Sequence, residues 1–296
     1  MELGSLASIF VIALSPMVPL LLGAVGEIIT ERSGVVNIGI EGILLLSALT
    51  AAVVSFFTGN VLLALLVGVA TGVVLGAFHG IISVYLRGDQ IVAGVGLNLL
   101  AYGLAVTSLF KIWSVFGASP PVPTMPKWVV AGHGISPMVP ISVAIAVVAW
   151  FVLFRTNLGL KLRACGEDPR AAEAMGVNVM RTRLLATMLG SALMGLGGAY
   201  LSVDWVGQFS REITAGRGFI ALANVAFSGW NPLIAVIGAF VFGFFDALAI
   251  YLIIGAQPTL SYVFKTIPYL GTLAVVVVFR GRGKAPAALA KPYIKE

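Results

Sequence analysis

The sequence predicts an all-α polytopic membrane protein with about 8–9 transmembrane helices, including one short half-helix, built on an inverted-topology repeat. Three observations carry this. Of 296 residues, 59% are hydrophobic and only 10% charged, and the mean hydropathy is +1.04, whereas a soluble domain carries roughly 25% charged residues. Apolar runs of about 20 residues, enough to cross a bilayer as a helix, recur along the chain, without the alternation of a membrane barrel. Two regions also repeat the same order of helices and breaks. No linker marks a soluble second part, so residues 1–296 read as a single integral membrane domain.

The apolar runs fall at about 5–29, 41–57, 61–86, 91–116, 138–154, 184–203, 218–229, 232–254 and 260–279. The run at 218–229 is too short to cross as a full helix and reads as a half-helix sheltered by neighbours. The opening MELGSLAS lacks the basic start of a signal peptide. Cys165 is the single cysteine, which excludes an intrachain disulfide and a cysteine metal cluster. The net charge of +6 does not indicate nucleic-acid binding, because the basic residues sit beside membrane runs.

Those basic residues set the sides of the membrane. The loop at 155–183 holds Arg155, Lys161, Arg163, Arg170, Arg181 and Arg183, and the tail holds Arg280, Arg282, Lys284, Lys291 and Lys295. Both belong in the cytoplasm, which makes the C-terminus cytoplasmic. Counting back places residues 117–137 outside, 31–42 inside and the N-terminus outside. Residues 117–137 contain Pro120, Pro121, Pro123, Pro126 and Pro137, a composition for an extended segment rather than a helix.

The repeat copies lie at about 41–116 and 217–279. Each opens on a charged residue and a glycine (Glu41-Gly42; Arg217-Gly218). Each reaches an asparagine before a long helix (Asn60; Asn231), and each ends on Gly-x-Gln (Gly88 to Gln90; Gly255 to Gln257). By the parity above, the copies enter their first helices from opposite sides, a frequent transporter plan. Gly68, Gly72, Gly76 and Gly80 recur every four residues, a ridge that lets helix backbones approach closely. Ala239, Gly243 and Ala247 repeat the spacing in the second copy. Intrachain packing is the expected use of both.

Catalytic and nucleotide-binding signatures are missing from the chain. It has no G-x-x-x-x-G-K-[ST] segment and no HExxH, and its two histidines, His79 and His133, are not at ligand spacing. His79 reads as a packed or pore-facing polar group. The 155–183 loop contains a sharply delimited short helix. Asp168 is its cap, Pro169 suits its first position, Arg170, Ala171, Ala172, Glu173, Ala174 and Met175 form its body, and Gly176 stops it. Ala171, Ala174 and Met175 give it an apolar face beside charges, suited to docking a cytoplasmic partner.

Three stretches, GEIITERSGVVNIGIEG at 26–42, LRACGEDPRAAEAMGV at 162–177 and GRGFIALANVAFSGWNP at 216–232, resemble permease subunits of ATP-binding-cassette (ABC) importers. The family is that of branched-chain amino acid and ribose permeases, in its nucleoside and simple-sugar branch, and the likeness spans about 10–280. It implies a permease in a prokaryotic cell membrane that is not itself an enzyme and translocates nucleosides or simple sugars by alternating access. It implies a second permease subunit, an ATPase with two nucleotide-binding halves and an external substrate-binding lipoprotein as partners. The ATPase, and not this chain, would hold ATP and magnesium. Residues 168–176 would be its coupling helix, although Glu173-Ala174-Met175-Gly176 departs from the Glu-Ala-Ala motif of many importers.

Polar groups at membrane depth mark candidates for the path. Asn98 and Asn224 carry amides that could meet a nucleobase, a ribose hydroxyl or the backbone of a broken neighbour. Asp246 is either a path residue or a structural acid paired with a cation such as Lys265. Glu41 lies at a helix start, where a carboxylate meets the positive end of the helix dipole. Asn37 lies in the glycine-bearing segment 34–42, which reads as the inner mouth of the path. An ion-coupled secondary transporter would share the inverted repeat but needs prominent carboxylates deep in spans, and Asp246 is the main one.

Overall fold

The computed structural model describes residues 6–130, 132–253, 257–264, 266–278 and 283–294. Helix α1 (Leu6–Arg32) is followed by α2 (Ile40–Thr58), α3 (Val61–Gly80, prolonged by a π-helical turn, Ile81–Tyr85) and α4 (Gln90–Trp113). A small antiparallel hairpin, β1 (Trp128–Val130) and β2 (His133–Ile135), precedes α5 (Met138–Arg155), α6 (Asn157–Glu167) and α7 (Pro169–Ala174). Then come α8 (Val179–Tyr200, with a π-helical turn Leu201–Trp205), α9 (Arg217–Phe227), α10 (Pro232–Ile253), α11 (Pro258–Phe264) and α12 (Ile267–Val278). Among the described residues, seven helices are long and apolar enough to cross a membrane, and α9 is a shorter apolar helix. The protein is an all-α polytopic membrane protein.

Local chemistry sets the boundaries. Asn60 Oδ1 accepts the Leu63 N–H at 3.0 Å to start α3, and Asn231 Oδ1 accepts the Leu233 N–H at 3.0 Å to start α10. The two asparagines matched in the sequence therefore do the same job. Asp89 caps α4 through the Ile91 and Val92 N–H groups, both at 2.9 Å. Pro19 lies inside α1 and cannot donate to the Ser15 carbonyl one turn earlier. The Tyr200 hydroxyl of α8 donates to that carbonyl at 3.2 Å instead, which satisfies a group that lipid could not.

The run expected at 260–279 is not one helix. It divides into α11 and α12, because Pro268 has no N–H and fits only the first turn of a helix. Gly255, Lys265, Arg280, Arg282, Lys295 and the first five residues lie outside the described residues. The proline-rich 117–127 stretch is extended. It pairs with 203–210 through Ser119 N–H to Phe209 O (2.7 Å) and Val122 N–H to Gly207 O (2.9 Å).

The packing pattern is that of an inverted repeat. Helix α8 packs on α3 as α1 packs on α10; α8 touches α2 as α1 touches α9; α1 and α8 cross each other. Exchanging α1, α2 and α3 for α8, α9 and α10 reproduces every one of these contacts. The crossing is antiparallel, since Gly26 lies against Gly190 while Gly197 lies against Pro19 and Leu22. The glycine ridge serves the α3–α8 seam. A Cβ on Gly72 would meet the Ser191 carbonyl and come within 2.9 Å of Gly195 Cα. Gly243 plays the same part against Ala13 and Met17 of α1, with Ala239 and Ala247 buried in the same row.

Candidate functional site

Two helices start within the helix bundle. Residues 33–39 are non-helical, and α2 begins where Ile40 packs against Met194 and Gly23, ~13 Å from the Arg32 end of α1 at 1.5 Å per residue. Helix α9 is 11 residues long, or ~16 Å against a hydrocarbon core of ~30 Å. It begins beside Glu41 and ends beside Glu31 and Arg32. The N-termini of α2 and α9 thus face one another in the interior.

Broken backbone inside the bundle needs partners, and side chains of three helices, α1, α3 and α4, supply most of them. The Val36 N–H donates to Gln90 Oε1 (2.7 Å), and the Val36 carbonyl lies 2.9 Å from His79 Nε2. Because a carbonyl only accepts, that ring nitrogen carries the proton. Glu27 accepts the Asn37 N–H at 2.7 Å. The Asn37 side chain accepts the Gly39 N–H (3.0 Å) and donates to Ser191 Oγ (3.3 Å). Asn98 donates to the Ile38 carbonyl (3.0 Å) and accepts the Gly42 N–H (2.8 Å). His79, left open as packed or pore-facing, is packed at 1% exposure.

The same segment holds both ends of α9. Glu41 accepts the Gly216 N–H (2.8 Å) and the Gly218 N–H (2.7 Å), so a carboxylate sits on the helix N-terminus. At the other end, Arg32 donates to the Gly229 and Trp230 carbonyls, both at 3.3 Å, and Glu31 accepts the Trp230 indole N–H at 2.5 Å. Of these groups, Glu41 at the N-terminus and Arg32 at the C-terminus carry the signs that the helix dipole favours. Gly218 is obligatory here, since a Cβ would lie 2.6 Å from the Glu41 backbone nitrogen. Glu31 belongs to the 31–42 stretch that the charge pattern places on the inner side. It is 7% exposed, because the indole supplies a partner inside the fold.

The other sequence-selected residues fall elsewhere. Asn224 is buried between α9 and α10 and donates to the Ala235 carbonyl at 3.0 Å. Asp246 accepts from Arg217 Nη2 at 2.7 Å, while Lys265, the partner suggested by the sequence, lies outside the described residues. The Arg217 guanidinium also lies over the Trp205 ring, 4.7 Å from its centroid. Asp168 caps α7 by accepting the Ala171 N–H at 3.0 Å, Pro169 is in the first turn, and Gly176 has φ +83°. Ala171, Ala174 and Met175 are exposed, Met175 at 85%, while Ala172 is buried against Cys165, Val179 and Tyr293.

Two elements near α7 had no sequence signal. Residues 283–294 run beneath it, with Ala288 N–H to Gly166 O (2.8 Å), Ala290 N–H to Gly34 O (3.2 Å) and the Tyr293 hydroxyl on Glu173. Arg183, counted from the sequence as a loop charge, is 2% exposed. It donates to the Cys165 and Lys291 carbonyls, each at 3.0 Å, and ties α8, α6 and the tail together. Burial pushes the Cys165 thiol above its usual pKa. Among the described residues, no three His, Cys, Asp or Glu side chains group to hold a metal ion.

Comparisons with known proteins add to this geometry. A family model described as the branched-chain amino acid transport system permease component matches residues 9–273. A guanosine ABC transporter permease protein of Bacillus subtilis is 35% identical, over 94% of this chain and 93% of its own length. A nucleoside ABC transporter permease protein of Lactococcus lactis is 33% identical over the same shares. A putative glucose ABC transporter permease protein of Haloferax volcanii is 35% identical over 94% of each chain. No solved structure matches.

Proposed function

We propose, from the premise that this chain belongs to the family of branched-chain amino acid transport system permease components, that it is a transmembrane subunit of an ABC importer for nucleosides. The similarity to guanosine and nucleoside permeases over nearly the whole chain supports the substrate class, with simple sugars, named for the Haloferax relative, as the second class. The subunit pairs with a second permease, receives substrate from an external lipoprotein and moves by alternating access. It works in a prokaryotic cell membrane with its C-terminus in the cytoplasm. A partner ATPase with two nucleotide-binding halves binds the ATP and magnesium.

The observation that carries this reading is α7, a short helix capped by Asp168 and ended by Gly176, which presents Ala171, Ala174 and Met175 outward beside basic loops. Docked in a cleft of the ATPase, it would pass ATP-driven motion into the bundle. The motion reaches the path through α6, Cys165 and Arg183, which join α7 to α8 and to Gly34. Asn37, Glu41, Asn98 and Asn224 then hold the broken segments that change position, and Asp246 faces the solute. A motor shifts such an equilibrium only by binding its two states differently, and an ATPase dimer open or closed around nucleotide does so.

The test is Met175→Glu in the complete complex, which places a charge on the outward face of α7. Loss of co-purifying ATPase and of ATP-dependent uptake, with the two permeases still paired, is the expected result. A variant that keeps both the ATPase and uptake moves the docking surface elsewhere.

A further inference from the structure

Beside the N-terminus of α9 lies a cavity of about 350 Å³ bounded by α1, α9, α10 and α12. Its walls are mostly aliphatic and aromatic, with Leu20, Ile220, Phe242 and Tyr269 among them. Its charged wall is one ion pair, Arg217 with Asp246. The pair lies within the span of α10, with Asp246 ~21 Å along that ~33 Å helix from its start at Pro232. The side chains of Arg217 and Asp246 are 14% and 22% exposed, so they are dehydrated yet reachable from the cavity.

Three properties point to a ligand. Ion pairs at membrane depth are costly and are kept where they face a path or each other. Arg217 holds Asp246 through one nitrogen and one oxygen; among the described residues the second oxygen, Oδ1, accepts no hydrogen bond. The charges of the pair cancel, so the cavity suits a neutral, hydroxylated solute and disfavours an anion such as a nucleotide. The volume fits the range of small-molecule sites, about 300–1,000 Å³. The position fits as well, because transporter sites form where discontinuous helices begin near the midplane.

We propose that this cavity is a substrate subsite, with Asp246 Oδ1 accepting from a ribose hydroxyl, Arg217 fixing that carboxylate, and Phe242 and Tyr269 flanking the flat base. This deepens the nucleoside reading above and rests on it. Arg217 is a positioning residue, held in turn by the Trp205 ring and by the Ile213 and Thr214 carbonyls, at 3.3 and 3.4 Å.

The experiment measures ATP-dependent uptake by the complete complex in proteoliposomes, using ribonucleosides, their deoxy analogues and glucose. Asp246→Asn is expected to raise the KM for the ribonucleoside about 10- to 100-fold, the worth of one hydrogen bond to a charged group. The same variant is expected to leave KM unchanged for the analogue that lacks the hydroxyl Asp246 binds. That contrast lies within one folded variant, so a folding defect cannot imitate it. The charge-swapped double variant, Arg217→Asp with Asp246→Arg, is expected to regain thermal stability but not the parental KM. A parental KM in Asp246→Asn, or a swap that restores KM as well as stability, overturns the subsite and leaves the importer reading standing. A parent complex that takes up neither nucleosides nor glucose overturns both.

Discussion

Replacing Glu41 should release α9 from the middle of the bundle. The Glu41 carboxylate takes the Gly216 and Gly218 N–H groups at 2.8 and 2.7 Å. A hydrogen bond to a charged group contributes about 1.5–3 kcal/mol. Glu41→Ala removes both bonds and leaves two amides of the first turn without partners. Allowing for part-exposure of the site, the cost is about 3–5 kcal/mol. Glu41→Gln keeps one acceptor and turns an NH₂ group toward the other amide, at about half that cost. The readout is hydrogen–deuterium exchange of residues 216–220 in the purified complex. A loss of 3 kcal/mol corresponds to a rise of roughly 150-fold in the exchange rate of those amides. Exchange should stay near parental in α3 and α8, whose seam does not involve Glu41. Parental exchange at 216–220 in Glu41→Ala would refute the idea that this carboxylate pins the half-helix.

Gly72→Leu should open the α3–α8 seam and lower thermal stability sharply, since overpacking costs about 1–3 kcal/mol or more. Gly96→Ala, where nothing lies within 4 Å of an added Cβ, should leave the melting temperature unchanged, and equal melting of the two variants would contradict the seam. Asn98→Ala should destabilise the 33–39 segment by about 1–3 kcal/mol and lower Vmax more than it raises KM. This follows because its amide is engaged by Ile38 and Gly42; a pure KM effect would return Asn98 to the solute. The Cys165 thiol, 0% exposed and raised in pKa by burial, should resist maleimide at pH 8, where an exposed cysteine reacts, and label fully after denaturation in SDS. Rapid labelling of the native complex would mean that the packing of α6 against Val179 and Tyr293 is looser than described.

Much of this architecture is legible in residue order. Hydropathy alone marks the long helices, and Asn60, Asp168 and Gly176 mark ends through chemistry that acts within a few residues. The matched dipeptides Glu41-Gly42 and Arg217-Gly218 are also legible, as parallel openings of two copies. Their mutual contact is not, because it joins residues far apart in the chain and depends on helix orientation in the membrane. The Glu31–Trp230 bond and the buried Arg183 are hidden for the same reason: a charged residue beside an apolar run reads as solvated unless its distant partner is known. Pro268 is different. It was visible, and its missing N–H divides the last apolar run into two helices. Asn98 and Asn224 are legible as polar residues within apolar runs, and in both the amide meets backbone.

The decisive measurement is nucleoside uptake into proteoliposomes that hold this chain with its second permease, with and without the ATPase. Uptake is expected only when the ATPase and internal ATP are both present, with no response to a proton or sodium gradient. Uptake by the permeases alone, driven by an ion gradient, would contradict the importer assignment and make this chain part of a secondary transporter.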